Sequence, residues 1–283
     1  MEVTGEPIRV QSLIQSGLSH VPSQYIQPPQ NRPTIQTDPN SNIPIIDLFN
    51  FNTNHRSSIR EAIGYACREW GAFHVTNHGI PTTLLHSVRN SGLTFFNDCP
   101  MSEKLKYPCT PGAAASEGYG SRMLATSDKE QNDAVSEILD WRDYFDHHTF
   151  PLSRRNPNNW PNFTSDYRES VAKYSDEMKI LAQKLLSLIS EINEVGLLWH
   201  QIITNGKYRS CVHRAVTNPN RPRLSVATFH DPAKTAKICP VPELINDSSP
   251  AKYRGVVYGD YVSSWYTKGP DGKRNIDALV IES

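Results

Sequence analysis

Residues 164–192 carry Tyr167, Val171, Tyr174, Met178, Leu181, Leu185, Leu188 and Ile192, spaced by alternating steps of four and three. In an α-helix those steps put all of them on one stripe, and a stripe of that length has to be covered. Ala182, Leu186 and Ile189 broaden it. A two-stranded coiled coil buries only a narrow seam, so the broad stripe predicts a long helix lying on a β-core. Its Met and aromatic residues are read as core. A chain built this way is mixed α and β.

The pattern upstream supplies further elements. Val10, Leu13, Ile14 and Leu18 fall at helical spacing and predict a short amphipathic helix over residues 8–20. Residues 21–44 turn to Pro, Gln, Asn, Ser and Thr, with too few large apolar side chains for a core, which predicts an extended arm. Residues 58–70 read as a helix that Ser58 and Glu61 open as a capping box. Ile59, Ala62, Ile63, Ala66, Cys67 and Trp70 share one face of it, Gly71 ends it, and a strand follows at 72–76. His74 in that strand and His78 in an Asn-His-Gly turn are read as structural. A second helix is expected at 83–97 and a mobile loop at 110–135. Residues 139–150 form an aromatic, strand-like segment with His147 and His148 at the surface. An edge strand is expected at 237–242 and a closing helix at 253–268, stopped by Gly269-Pro270.

Residues 211–229 hold the chemistry. Two alternating, β-branched runs flank the connector Asn218-Pro219-Asn220-Arg221-Pro222, so two strands joined by a loop are expected. Alternation puts His213 on one face with Cys211 and Ala215, and Arg223 and Ser225 on one face with Ala227. A neutral imidazole is a metal ligand. A guanidinium two residues from a hydroxyl can grip a carboxylate. Together they suit a small acid bound to a metal at one end and to arginine at the other. Three such residues are equally a sheet histidine, a surface arginine and a serine.

His213-Arg214-Ala215 followed by Arg223-x-Ser225 resembles the C-terminal half of the iron(II)- and 2-oxoglutarate-dependent dioxygenases of plants. Ile43-Pro44-Ile45-Ile46-Asp47-Leu48 is similar to that family's first core strand. The run Trp70-Gly71-Ala72-Phe73-His74-Val75-Thr76-Asn77-His78-Gly79-Ile80 is similar to its strand-and-turn signature, and Leu139-Asp140-Trp141-Arg142-Asp143-Tyr144 also matches. Gly118-Tyr119-Gly120 resembles a family element near the substrate mouth. The resemblance implies a double-stranded β-helix, or jelly roll, with flanking N-terminal helices. It implies His213 as the last ligand of a two-histidine, one-carboxylate iron site, and Arg223 with Ser225 as the clamp for the far carboxylate of 2-oxoglutarate. The implied cofactors are Fe(II), 2-oxoglutarate as co-substrate and ascorbate as reductant. The implied reaction couples decarboxylation of 2-oxoglutarate to succinate with oxidation of a small plant metabolite or hormone, as in plant specialised metabolism.

The family's other two ligands form His-x-Asp upstream of the last histidine. None of the ten histidines here has Asp or Glu two residues later. The text runs from Glu191 through Ile192-Asn193-Glu194-Val195-Gly196-Leu197-Leu198-Trp199-His200-Gln201 and rejoins the family pattern at Ile202-Ile203-Thr204-Asn205-Gly206. The expectation is an internal deletion of the segment that carries His-x-Asp, leaving the barrel incomplete. His200 is the one nearby histidine that could replace a lost ligand, and nothing in the sequence fixes its geometry. The chain then divides into an N-terminal dioxygenase region at 1–192 and a remnant of the jelly-roll domain at 193–283. No catalytic residue is assigned. Two readings stay open: a dioxygenase family member that is inactive as this polypeptide, or a non-catalytic binding or interaction module.

Composition narrows the partners. Lys plus Arg and Asp plus Glu are 29 each among 283 residues, so bulk charge argues for neither nucleic acid nor an anionic membrane, and the small-molecule substrate is what the resemblance implies. Five cysteines without close pairing point to free thiols in a reducing compartment, and no apolar run reaches spanning length. A cytoplasmic protein is expected.

Overall fold

The computed structural model describes residues 9–29, 32, 42–110, 116–121, 140–193, 200–211, 213, 215–218, 220–267 and 274–281. In chain order its elements are α1 (Val10–Gln15), β1 (Ile45–Asp47), α2 (Arg56–Glu69), β2 (His74–Thr76), α3 (Thr82–Asn97), α4 (Met101–Lys104), β3 (Gly118–Ser121), β4 (Asp143–Asp146), α5 (Tyr167–Asn193), α6 (His200–Ile203), β5 (Lys237–Ile238), β6 (Val256–Val257), α7 (Tyr258–Thr267) and α8 (Arg274–Asp277). The chain is mixed α and β, as expected. The strands form three two-stranded sheets, β1–β2 parallel, β3–β4 antiparallel and β5–β6 antiparallel. No closed barrel stands among the described residues.

Two compact units divide the chain. The first is Met1–Gln36, Thr83–Lys173 and Thr217–Ser225; the second is Thr37–Thr82, Tyr174–Val216 and Val226–Ser283. The first unit is organised on Phe95 of α3, which is almost fully buried. It meets Tyr119, Phe145 and Tyr167 at ring centroid distances of 5.8, 5.5 and 5.9 Å. Cys99 and Trp160 complete this core. Gly118-Tyr119-Gly120 is a buried strand here and not part of a mobile loop. The aromatic half of β4 and the core beneath hold it, and Gly120 fits because a Cβ would stand 2.5 Å from Cys109 Sγ. Residues 111–115 and 122–135 of the expected loop lie outside the described residues.

His147 also corrects the sequence reading. Its ring is packed against Phe145, Trp160 and Tyr167, not set at the surface. Nε2 lies 3.2 Å from the Tyr167 hydroxyl, and the Phe145 carbonyl takes a further hydrogen bond from the ring. Glu117 accepts from Trp160 Nε1 at 2.7 Å and from the His148 backbone N–H at 2.8 Å, which fixes the turn after β4.

In the second unit β1 and β2 lie in register Ile45 to His74, with α2 as the crossover between them. Ile46, Leu48, Ile59, Ile63, Ala66 and Cys67 are buried there. Helix α2 begins two residues before the expected Ser58. Its N-cap is His55, and Ser58 Oγ donates back to the His55 carbonyl, so the capping box does not form. His78 Nδ1 accepts from the Ile80 backbone N–H, a turn-closing role, and His74 is exposed. A second cluster joins Ile202, Ile238, Tyr253, Tyr258 and Leu279. The closing helix α7 starts at Tyr258 because Tyr253 and Val256 are taken up by β-pairing. On α5, Leu181 is 6 % and Leu188 0 % exposed, so the stripe is covered at both leucines. Ile192 lies outside the described side chains.

Two measurements test this account. Gly71 has φ +68°, and a Cβ there would stand 2.5 Å from the Arg209 carbonyl oxygen and 2.8 Å from the Cys211 nitrogen. Gly71→Ala is expected to lower stability by about 2 kcal/mol or more, read from urea unfolding midpoints, since left-handed strain and a backbone clash add. His147 should confer a pH dependence. Burial pulls its pKa from 6.5 down to about 4, against the opposing pull of Glu117 and the Phe145 carbonyl. Between those values the unfolded chain binds the proton and the folded chain does not, so stability falls as pH falls through that window. Unfolding at pH 7 and pH 5 should differ by about 2 kcal/mol from this group, and His147→Phe should remove that part. Equal pH slopes in the two proteins would discount the imidazole.

Candidate metal centre

The approach to His213 is built from the C-terminal end of α2. Arg209 donates its backbone N–H to the Cys67 carbonyl at 2.9 Å, and the main chain of Arg209 to Cys211 lies against Gly71, whose missing side chain makes the room. The turn before it is fixed from several sides. Asn205 has φ 52°, accepts the Lys252 backbone N–H at 2.7 Å and donates Nδ2–H to the Pro250 carbonyl at 2.9 Å. Gln201 Oε1 accepts the Ser210 N–H at 3.0 Å, and Thr204 Oγ1 accepts the Tyr208 N–H at 3.0 Å. The Ile-Ile-Thr-Asn-Gly motif is therefore a rigid anchor in the second unit.

Beyond this anchor the regular structure stops. Among the described residues of 211–235 there is no strand, so the expected strand pair is not formed there. A strand is held by ladder hydrogen bonds, and the described residues of this segment show no ladder. Side-chain anchors hold it instead. Leu224 packs on Gly92 of α3, 3.1 Å from where a Cβ would be, and Thr228 is hydrogen-bonded to the Tyr174 hydroxyl of α5.

His213 is exposed, and its Nδ1 lies 3.1 Å from the Cys211 carbonyl oxygen. Arg223 and Ser225 are both exposed, with the half-buried Leu224 between them. His213 belongs to the second unit, and Arg223 and Ser225 belong to the first. Among the described residues no group of three or more His, Cys, Asp or Glu is placed to hold a metal ion. A stable iron site needs several convergent ligands with oriented second partners. One exposed imidazole does not meet that need, and the described residues do not fit a bound iron. The side chain of His200 lies outside the described residues.

One further histidine carries no mark in the sequence. His230 has a buried Nε2 without a hydrogen-bond partner, and burial lowers its pKa against the pull of Asp231. Its place at the end of the irregular segment has no signature in the pattern of residues. No helix among the described residues is long and apolar enough to cross a membrane.

Comparison with known proteins places these residues in a family. Residues 43–163 match the N-terminal region described as that of a non-haem dioxygenase in morphine synthesis, and residues 184–232 match the 2OG-Fe(II) oxygenase superfamily. Jasmonate-induced oxygenase 4 of Arabidopsis thaliana is 29 % identical over 358 positions, covering 98 % of this chain and 98 % of the relative. Thebaine 6-O-demethylase of Papaver somniferum is 29 % identical, covering 96 % and 95 %. The alignment of 358 positions is longer than the chain of 283 residues, so at least 75 positions of the Arabidopsis relative face no residue here. Among solved structures, JOX2 in complex with 2OG, Fe and JA superposes with TM-score 0.81 at 26 % identity, covering 98 % of this chain and 99 % of that one. The dioxygenase for auxin oxidation of rice, at TM-score 0.58 and 14 % identity over 85 % of this chain and 100 % of that one, shares the fold. The cofactors of the family are Fe(II) and 2-oxoglutarate, with ascorbate as reductant. Family matches over residues 43–163 and 184–232, relatives aligned along nearly all of the chain and the JOX2 superposition agree: the chain belongs to the iron(II)- and 2-oxoglutarate-dependent dioxygenases of plants.

Proposed function

We propose that this chain derives from a 2-oxoglutarate-dependent oxygenase of a small plant metabolite or hormone, and that as this polypeptide it does not turn over. The observation that carries the reading is the absence of His-x-Asp or His-x-Glu anywhere in the sequence. The excess length of the relatives' alignments supports a deletion, and the break in the family pattern between Glu191 and Ile202 favours that stretch for it. On this reading His213 is the surviving ligand, and Arg223 with Ser225 is the surviving carboxylate clamp. The sequence divides at 1–192 and 193–283 into the N-terminal dioxygenase region and the jelly-roll remnant. The likeness to jasmonate-induced oxygenases favours an acidic small molecule as the ancestral substrate. Five free cysteines favour a reducing, cytoplasmic setting.

A second reading is a non-catalytic binding or interaction module. Its support is that the two buried clusters, on Phe95 and on Ile202, are built entirely from residues outside the candidate site.

Purified protein incubated with Fe(II), ascorbate, O2 and 2-oxoglutarate is expected to give no succinate above the protein-free control, and His213→Ala is expected to match it. Family-typical turnover that His213→Ala abolishes overturns the proposal. Insertion of the His-x-Asp segment of a relative between Asn193 and His200 is expected to restore Fe(II) binding. In titration calorimetry Arg223→Leu should weaken 2-oxoglutarate binding by about 1.5–3 kcal/mol, the worth of hydrogen bonds to a charged group. Equal affinity in the two proteins counts against the clamp.

A further inference from the structure

One carboxylate gathers the N-terminal helix onto the first unit. Asp143 opens β4 and stands opposite Ser121 in the β3–β4 register. Its Oδ1 accepts the backbone N–H of Val10 and its Oδ2 that of Gln11, each at 3.0 Å. The Tyr119 hydroxyl donates to Oδ2 at 3.1 Å, and the Ser121 hydroxyl donates to Oδ1. Four donors converge, two from α1 and two from β3, and none is a cation.

Further contacts close around this centre. Lys104, almost fully buried, donates Nζ–H to Gln11 Oε1 at 2.6 Å and to the Phe96 carbonyl at 2.7 Å. Gln11 Nε2 donates to the same carbonyl. Arg9 is 8 % exposed, with its guanidinium carbon 5.0 Å from the Tyr119 ring centroid.

Helix α1 has six residues and buries only Val10, and its own N-cap residue, Arg9, offers no side-chain cap. A helix that short is not stable alone. Its first N–H groups have no intrahelical partner, so a remote acceptor has to satisfy them. Asp143 does this from 132 and 133 residues further along the chain. With so little apolar area in the joint, its polar contacts decide whether the helix docks.

We propose that residues 9–15 form a strap clasped by Asp143 onto the β3–β4 hairpin, which opens and closes separately from the aromatic core beneath. The core keeps contacts of its own when the strap lifts, because Phe95 meets Phe145 and Tyr167 as well as Tyr119, the one ring whose hydroxyl the Asp143 carboxylate holds. The open state leaves Asp143 with its two donors from β3 and takes Gln11 Oε1 away from Lys104.

Hydrogen exchange followed by mass spectrometry on the full chain tests this. In Asp143→Asn, peptides covering residues 10–15 should exchange about tenfold faster or more, the effect of losing hydrogen bonds to a charged acceptor. Peptides of α3 and α5 should keep their native rates, as should every peptide in the surface-pair control Glu169→Gln. An unchanged rate over residues 10–15 overturns the clasp. An equal rise in α3 and α5 also overturns it, since Asp143 would then be part of the core. Should Asp143→Asn fail to fold, Val10→Pro carries the test. It removes one donor at the first helical position, where proline fits, and leaves the aromatic core intact. Faster exchange of residues 11–15 alone is again expected, and native rates there overturn the proposal.

Discussion

A β-strand exists only against a partner that takes up its backbone N–H and C=O groups. That requirement arranges this molecule. Each of the three strand pairs is short, and in each the two strands belong to one unit. Residues 223–229 have strand-like composition but no ladder, and Val226 and Phe229 remain 48 % and 81 % exposed. Large apolar side chains left in that state mark surface that the segment's own alternation suits for burial. In a complete sheet Val226 would share one face with Leu224, and Phe229 the other with Arg223 and Ser225.

Much of the helical structure is legible from spacing. The steps of four and three on α5 and the faces of α2 and α3 come from the 3.6-residue period, which depends only on the helix itself. Boundaries follow less well. Ser58 and Glu61 spell a capping box, yet the chain turns into α2 at His55, where the preceding turn from Asn50 to Thr53 already supplies backbone hydrogen bonds. Strand β4 lies within the strand-like segment 139–150, and strand β3 shows the other limit. Gly118, Gly120 and Ser121 read as loop because their burial comes from distant aromatics, and no local pattern records that. His147 reads as a surface residue for the same reason: its neighbours Trp160 and Tyr167 arrive from later in the chain.

The site is legible in its residue types and not in its geometry. His213, Arg223 and Ser225 stand out because imidazole, guanidinium and hydroxyl suit a metal and a carboxylate. Bringing them together needs sheet register, and register is a property of paired strands. Asp143 carries the opposite lesson. As one letter in an aromatic segment it has no mark, yet the structure gives it four donors.

The notch at Gly71 acts as a phase marker for everything downstream. With Arg209 and Cys211 seated on it, the backbone reaches position 211 at one fixed height along the end of α2. Any gain or loss of residues between α5 and α6 falls before that point in the chain. A length change there leaves the later residues in step with the rest of their unit, so the joint tolerates editing that a change beyond the notch would convert into a shift of every following contact.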